Sequence, residues 1–266
     1  MYTTSRLSTG GRKMITIPYT LVNGIILIPA TANEKEGFFA FDTGAMQTAV
    51  NKAYFPEMHG GHIEVAKFSE EVKEHAASEG LLSTLRFSAI ERSNLPVLIM
   101  DLMYVENALK AVRPDIKLLG TLGVDIIAAY TVFLDYSIPE LILNPPYGFR
   151  NHMTIPMEFK KLPVIKVAVA DRICSFVLDT GANTCLLGHS FMNAPALAPL
   201  SETQNIVNIP LFRVGENCYE NITAVISDIS PIRKRVLAEG VVGYQILCPQ
   251  RSILDFQNNR LIMERT

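Results

Sequence analysis

The chain has 266 residues, 48% of them hydrophobic, which is enough for one large domain or two of about 130 residues and argues against wholesale disorder. Its net charge is −2, with no strong basic or acidic block; nucleic acid is therefore not expected as the main partner, since neutralising phosphates needs clustered Lys and Arg. No apolar run reaches the ~18 residues of a membrane-spanning helix, so none is expected.

Residues 1–13 are Ser, Thr, Gly and basic residues and read as a mobile tail. The apolar stretch that follows, ending in Ala30-Thr31-Ala32, superficially copies a secretory signal, but Pro18 and Asn23-Gly24 break it in a way that suits a hairpin. Ile15–Tyr19 leads into Gly24–Ala30, then a turn at Asn33–Gly37, then the strand Phe38–Phe41, which stops at Asp42-Thr43-Gly44-Ala45. Asn51 to His62 reads as a short helix or loop. Glu64 to Ser88 reads as a long hairpin whose small, flexible tip is Ala76-Ala77-Ser78-Glu79-Gly80-Leu81. Pro96–Asp101 is another strand. Lys117–Gly123 runs apolar into Leu122-Gly123, and one or two helical turns follow from Asp125. Val132–Tyr136 and Glu140–Leu143 form a closing hairpin, and Asn144–Gly148 reads as a linker.

The second half repeats this plan. Met153–Met157 answers Ile15–Tyr19. Ser175-Phe176-Val177-Leu178 stops at Asp179-Thr180-Gly181-Ala182. Gly240–Leu247, containing Val242-Gly243, answers Gly120–Ile127. Ile253–Phe256 with Arg260–Met263 answers the first closing hairpin. Four matched segments in one order mark an internal duplication, with a first unit at 14–148 and a second at 149–266. The interval from Asp42 to Gly123 is 17 residues longer than that from Asp179 to Gly243, so the first unit is expected to carry a projecting hairpin that the second has lost or shortened.

Two apolar strands that each end in Asp-Thr-Gly-Ala, each followed by an apolar-apolar-Gly and a short helix, resemble the aspartic peptidases, with features of their retropepsin-like bacterial branch. The resemblance covers roughly residues 15–264. It implies a mainly β, bilobal, pepsin-like or retropepsin-like fold of two β-barrel-like lobes about a pseudo-two-fold axis. It also implies a catalytic dyad of Asp42 and Asp179. Thr43 and Thr180 would bond across to the opposite strand, Leu122-Gly123 and Val242-Gly243 would pack beneath the loops, and the hairpin around Ala76–Leu81 would be a flap over the substrate. That hairpin lacks the tyrosine typical of pepsin flaps. Ala45 and Ala182 stand where pepsin-like enzymes have Ser or Thr.

The chemistry accounts for the pairing. Hydrolysing a peptide bond without a metal or covalent nucleophile needs one group to take a proton from water and another to give one to the carbonyl oxygen. Two touching carboxyls cannot both ionise, so one proton is shared and an acid and a base coexist. A lone Asp in a turn would merely cap backbone N–H groups. A phosphoryl-transfer Asp would need a second acid two residues on, where Gly44 and Gly181 stand. Four cysteines, Cys174, Cys185, Cys218 and Cys248, form no C-x-x-C pair; buried free thiols are the plain reading, with a Cys174–Cys185 disulfide left open. His59 and His62 lack a third metal ligand, and His75, His152 and His189 stand alone. Asp135 and Asp255 read as hairpin residues, and Arg233-Lys234-Arg235 as a solvated loop. The expectation is a monomeric aspartic endopeptidase, cytoplasmic or, if its N-terminus is processed, secreted or periplasmic, needing no cofactor or metal, with an extended peptide or protein segment as substrate. The alternative is a non-catalytic peptide-binding module.

Overall fold

The computed structural model describes residues 12–58, 62–64, 76–146, 148–170, 172–200 and 205–265. The first half contains β1 (Ile15–Pro18), β2 (Thr20–Val22), β3 (Ile25–Ala32), β4 (Lys35–Phe41), β5 (Ala49–Asn51), β6 (His62–Glu64), β7 (Ala76–Phe87) and β8 (Ile90–Met100). It continues with α1 (Met103–Lys110), β9 (Leu118–Leu122), α2 (Val124–Ile127), β10 (Thr131–Leu134) and β11 (Glu140–Leu143). The second half contains β12 (His152–Phe159), β13 (Pro163–Val169), β14 (Arg172–Leu178), β15 (Cys185–Gly188), β16 (Ala198–Pro199), β17 (Ile206–Val214) and β18 (Asn217–Ser227). Then come α3 (Ser230–Arg233), β19 (Gly240–Val242), α4 (Tyr244–Leu247), β20 (Ser252–Asp255) and β21 (Arg260–Glu264).

The protein is mainly β, and its strand pairings repeat. In the first half β3 pairs antiparallel with β4, β4 parallel with β9, β9 antiparallel with β5, β5 parallel with β8, β8 antiparallel with β7, and β7 returns to β3. In the second, β13, β14, β19, β15, β18 and β17 pair in the same order and directions, and β17 closes on β13. Each half thus winds into a six-strand ring that hides the sheet edges. The halves are joined by an antiparallel sheet in the order β1, β11, β10, β20, β21, β12. At its centre β10 of the first half pairs with β20 of the second, from Thr131 opposite Asp255 to Leu134 opposite Ser252.

Local chemistry explains these elements. β12 buries Met153, Ile155 and Met157 and exposes the residues between them, the period of two expected of a strand with one face on the core. β2 and β3 are joined by Asn23 and Gly24 at φ 49° and 79°; positive φ at both central residues gives the hairpin turn whose twist matches the strands. Asn33 and Glu34 do the same between β3 and β4, so this turn is tighter than the Asn33–Gly37 expected, and Lys35 already belongs to a strand. One hydrophobic cluster runs through both halves, from Phe39 and Leu82 to Phe176 and Phe212, all fully buried. Asp255 accepts from Asn258 and Arg260, and Asp135 from Ser137, so both serve their hairpins.

Two sequence expectations need correction. Ala76–Leu81 do not form a hairpin tip. They are the first half of β7, paired with β6 at 76–78 and with β8 from Ser78, and the turn between β7 and β8 lies at Ser88–Ala89. Gly80 reflects close packing: a Cβ there would lie 2.7 Å from Ile99 Cδ1 and 2.9 Å from Met58 Cε. The connection from β6 to β7, residues 65–75, lies outside the described residues, as do His59, Gly60, Gly61 and His75. The second half keeps a shorter counterpart, β16 paired with β17.

The other correction is α1, which falls where the sequence pattern assigned no element. Its fully buried polar member, Glu106, accepts from Tyr54 Oη at 2.6 Å and the Leu118 N–H at 3.0 Å and pairs with Lys110. The helix is therefore bound to β9 through polar contacts. All four cysteines are free, with Cys174 and Cys185 buried.

Candidate active site

Asp42 follows β4 and Asp179 follows β14, the matching strands of the two rings. Each turn is anchored from its own half in the same way. The Asp42 N–H donates to Leu122 O (3.0 Å) and the Asp179 N–H to Val242 O (2.9 Å). One step on, Val124 N–H donates to Ala45 O and Tyr244 N–H to Ala182 O, both at 2.8 Å. Between these bonds lie Gly123 and Gly243. A Cβ on Gly123 would meet Ala45 O at 2.9 Å, and one on Gly243 would meet Ala182 O at 2.6 Å, so no side chain fits beneath either turn.

The turns also lock to each other. Thr43 and Thr180 are fully buried. Thr43 Oγ1 donates to Leu178 O and Thr180 Oγ1 to Phe41 O, both at 2.7 Å. Each hydroxyl oxygen in turn accepts the other threonine's backbone N–H, at 3.0 and 3.1 Å. Four buried hydrogen bonds thus cross between the halves, and every donor and acceptor in the set is satisfied.

This lock brings the carboxyls together. A Cβ on Gly44 would lie 2.3 Å from the Asp179 carboxyl carbon, and one on Gly181 2.5 Å from that of Asp42. Each turn's glycine faces the other turn's acid, and the two carboxyls hydrogen-bond one another. Both side chains lie deep yet remain partly open to solvent.

Their electrostatics differ. Burial raises Asp42, but its bond to Asp179 and the N–H groups of Gly44 (2.9 Å) and Ala45 (3.0 Å) on its Oδ1 favour its charged form. Burial lifts Asp179 well above the usual carboxylate range. The Asp42 charge and the hydrogen bond between them push it the same way, opposed mainly by the Gly181 N–H at 2.7 Å. The two carboxyls titrate as a pair: burial and the facing Asp42 carboxyl hold the Asp179 side up, while the Gly44 and Ala45 N–H groups favour charge on Asp42.

Sequence reading missed the supports behind the turns. Asp125 Oδ1 accepts both the N–H (2.9 Å) and the hydroxyl (2.8 Å) of Thr48, whose oxygen takes the Gly123 N–H at 3.1 Å. In the second half Gln245 stands at the equivalent position and accepts from Thr184 Oγ1 and the Cys185 N–H at 3.3 and 3.4 Å. An amide already does this work in one half. Asp125→Asn is therefore expected to cost less than about 1 kcal/mol, a fall in Tm under about 4 °C on thermal unfolding. A larger fall would mean that the charge itself is needed. Tyr104, half-exposed on α1, is also near the site: its phenol is raised by burial first and then by the Asp42 charge. Among the described residues no group of His, Cys, Asp and Glu is arranged to hold a metal ion, and no helix is long and apolar enough to cross a membrane.

No family model and no curated protein matches this chain.

Proposed function

We propose that the chain is an aspartic endopeptidase of bilobal, pepsin-like plan that hydrolyses peptide bonds with water activated between Asp42 and Asp179. The observation that carries this reading is the close facing of two deep-set carboxyls across a pair of interlocked Asp-Thr-Gly turns. Ionised Asp42 takes a proton from water as its oxygen attacks the scissile carbonyl carbon. Asp179 gives its proton to the carbonyl oxygen, and a tetrahedral diol results. When the diol collapses the C–N bond breaks, a proton passes to the departing amine, and the dyad again shares one proton. The substrate is a peptide or protein segment held extended, as an added strand.

The test is digestion of a mixed peptide library with the full chain, read by mass spectrometry, with Asp42→Asn and Asp179→Asn as controls. Cleavage by the wild type alone supports the reading. Cleavage surviving in both variants sinks it, and peptide retention without cleavage by the wild type turns it into a binding module.

The pH dependence has a defined sign. Activity needs one proton on the pair, so it rises as Asp42 ionises and falls as Asp179 follows. Because Asp179 is held well above the usual carboxylate range, the rate profile is expected to peak above about pH 4. The side chains of Ala45 and Ala182 offer no hydroxyl to pull it lower. Stability follows the raised folded-state values: the dyad's contribution is fully present below the ordinary carboxylate range and is lost as pH rises through the raised titration. A rate optimum well below pH 4 would contradict this.

A further inference from the structure

The two most exposed large aliphatic side chains among the described residues stand together. Ile173, on β14, is 77% exposed, and Leu237, just before β19, is 88% exposed. β14 and β19 run parallel with Phe176 beside Gly240, and the Glu239 N–H donates to Ser175 O at 2.7 Å. Two residues further back on each segment, Ile173 and Leu237 therefore reach the same end of the pair. Side chains this exposed line no groove. Cations surround them. Lys166 on β13 lies opposite Ser175 and donates to its hydroxyl at 2.7 Å, and Arg172 directly precedes Ile173. Arg233, Lys234 and Arg235, all exposed, lead from α3 towards Leu237. Ile232 and Val236, on either side of that run, pack in one cluster with Leu162, which brings the exposed Lys160-Lys161 pair to the same region. Residues 158–161, 166–173 and 228–239 carry seven Lys and Arg against four acids, in a chain whose net charge is −2. Of those acids Asp171 lies outside the described residues. The other three are engaged: Glu239 by Arg172 at 2.7 Å, Glu158 by Lys160 at 2.8 Å, and Asp228 by the Ser230 N–H at 2.8 Å.

We propose that this end of the second half docks on an anionic lipid surface, with Ile173 and Leu237 entering the headgroup boundary while the cations around them meet the lipids' negative charge. Exposed apolar side chains ringed by Lys and Arg suit a protein that lies on a membrane without crossing it. Other occupants fit less well. A second copy seated on the same patch would set its cations against their own kind. A nucleic acid would be held by the cations, but its bases stack on aromatic side chains, and the exposed pair here is aliphatic. An extended peptide needs a groove or a free strand edge, and β13, β14 and β19 are each paired on both sides.

The inference does not depend on the peptidase reading, and its test needs no substrate. The full chain is sedimented with vesicles of phosphatidylcholine alone and of phosphatidylcholine mixed with phosphatidylserine. Binding to the mixed vesicles only, lost at about 0.5 M salt, is the expected result. Arg233→Glu, Lys234→Glu and Arg235→Glu together are expected to weaken that binding by about 100-fold or more. Ile173→Ser with Leu237→Ser is expected to weaken it by about tenfold or more. All five positions are exposed, so both variants are expected to keep the wild-type Tm. No binding to the mixed vesicles, or equal binding to both kinds, overturns the proposal. So does binding that either variant leaves unchanged. Wild-type binding to a duplex DNA oligonucleotide at least as tight as to the mixed vesicles also overturns it, and makes the patch a site for a phosphate backbone.

Discussion

Asp179→Asn is expected to lower kcat for peptide cleavage by about 10²–10⁴-fold or more, with a much smaller change in KM. Asn keeps the size of the side chain and an oxygen to accept the Gly181 N–H. On the proposed mechanism it loses the proton that goes to the carbonyl oxygen. Asp42→Asn removes the other role, the acceptor of the water's proton, and a loss of the same order is expected. Neither variant should unfold the protein. Burial raises both carboxyls, which means the fold disfavours their charged forms, so a neutral amide relieves that cost at neutral pH. The decisive measurement pairs kcat on a cleaved peptide with Tm for each variant. Loss of turnover at unchanged or raised Tm is the expected result. Retention of turnover within about tenfold would remove the dyad from the mechanism.

The second large effect concerns stability. Thr43→Val swaps a hydroxyl for a methyl of similar size and breaks two hydrogen bonds at once. It leaves Leu178 O and the Thr180 N–H buried without their partner. At about 1–3 kcal/mol for each of the two stranded groups, the expected loss is about 2–6 kcal/mol, a fall in Tm on the order of 5–20 °C. Thr43→Ser, which keeps the hydroxyl, is expected to stay much closer to the wild type. If the Val and Ser variants melt together, the loss comes from packing and not from the crossed hydrogen bonds. Thr180→Val should behave like Thr43→Val, because Thr180 Oγ1 makes the mirrored pair of bonds to Phe41 O and the Thr43 N–H.

What the sequence made legible was local or repeated. Asp42 and Asp179 each sit at the end of an apolar strand within four residues of their turn partners, so the motif is complete in one short stretch. The shared plan of the two halves followed from repetition, since matching segments in one order imply matching strands, but the closure of each half by β7 on β3 and β17 on β13 did not. The Thr48–Asp125 support was not legible because it joins residues 77 apart and its counterpart uses Gln245 with Thr184, so the two halves share a role without sharing a residue. α1 escaped because its most buried side chain is Glu106, and apolar periodicity passes over a helix anchored by a carboxylate. The run Ala76–Gly80 misled for the opposite reason. Small residues are shared by mobile tips and by crowded strands, and only the contacts of Gly80 with Ile99 and Met58 separate the two cases.

The crossed threonine bonds also bear on the order of assembly. They join residues 135 to 139 positions apart, whereas each ring can close largely on contacts within its own half. Closing so long a loop costs entropy before any contact repays it, so such pairings form late. A nascent chain carrying only the first half exposes Asp42 with neither Thr180 to hold its turn nor Asp179 to share its proton. The pair of acids therefore exists only once the second half has been made and has docked, and on the proposed reading peptide cleavage waits on that step.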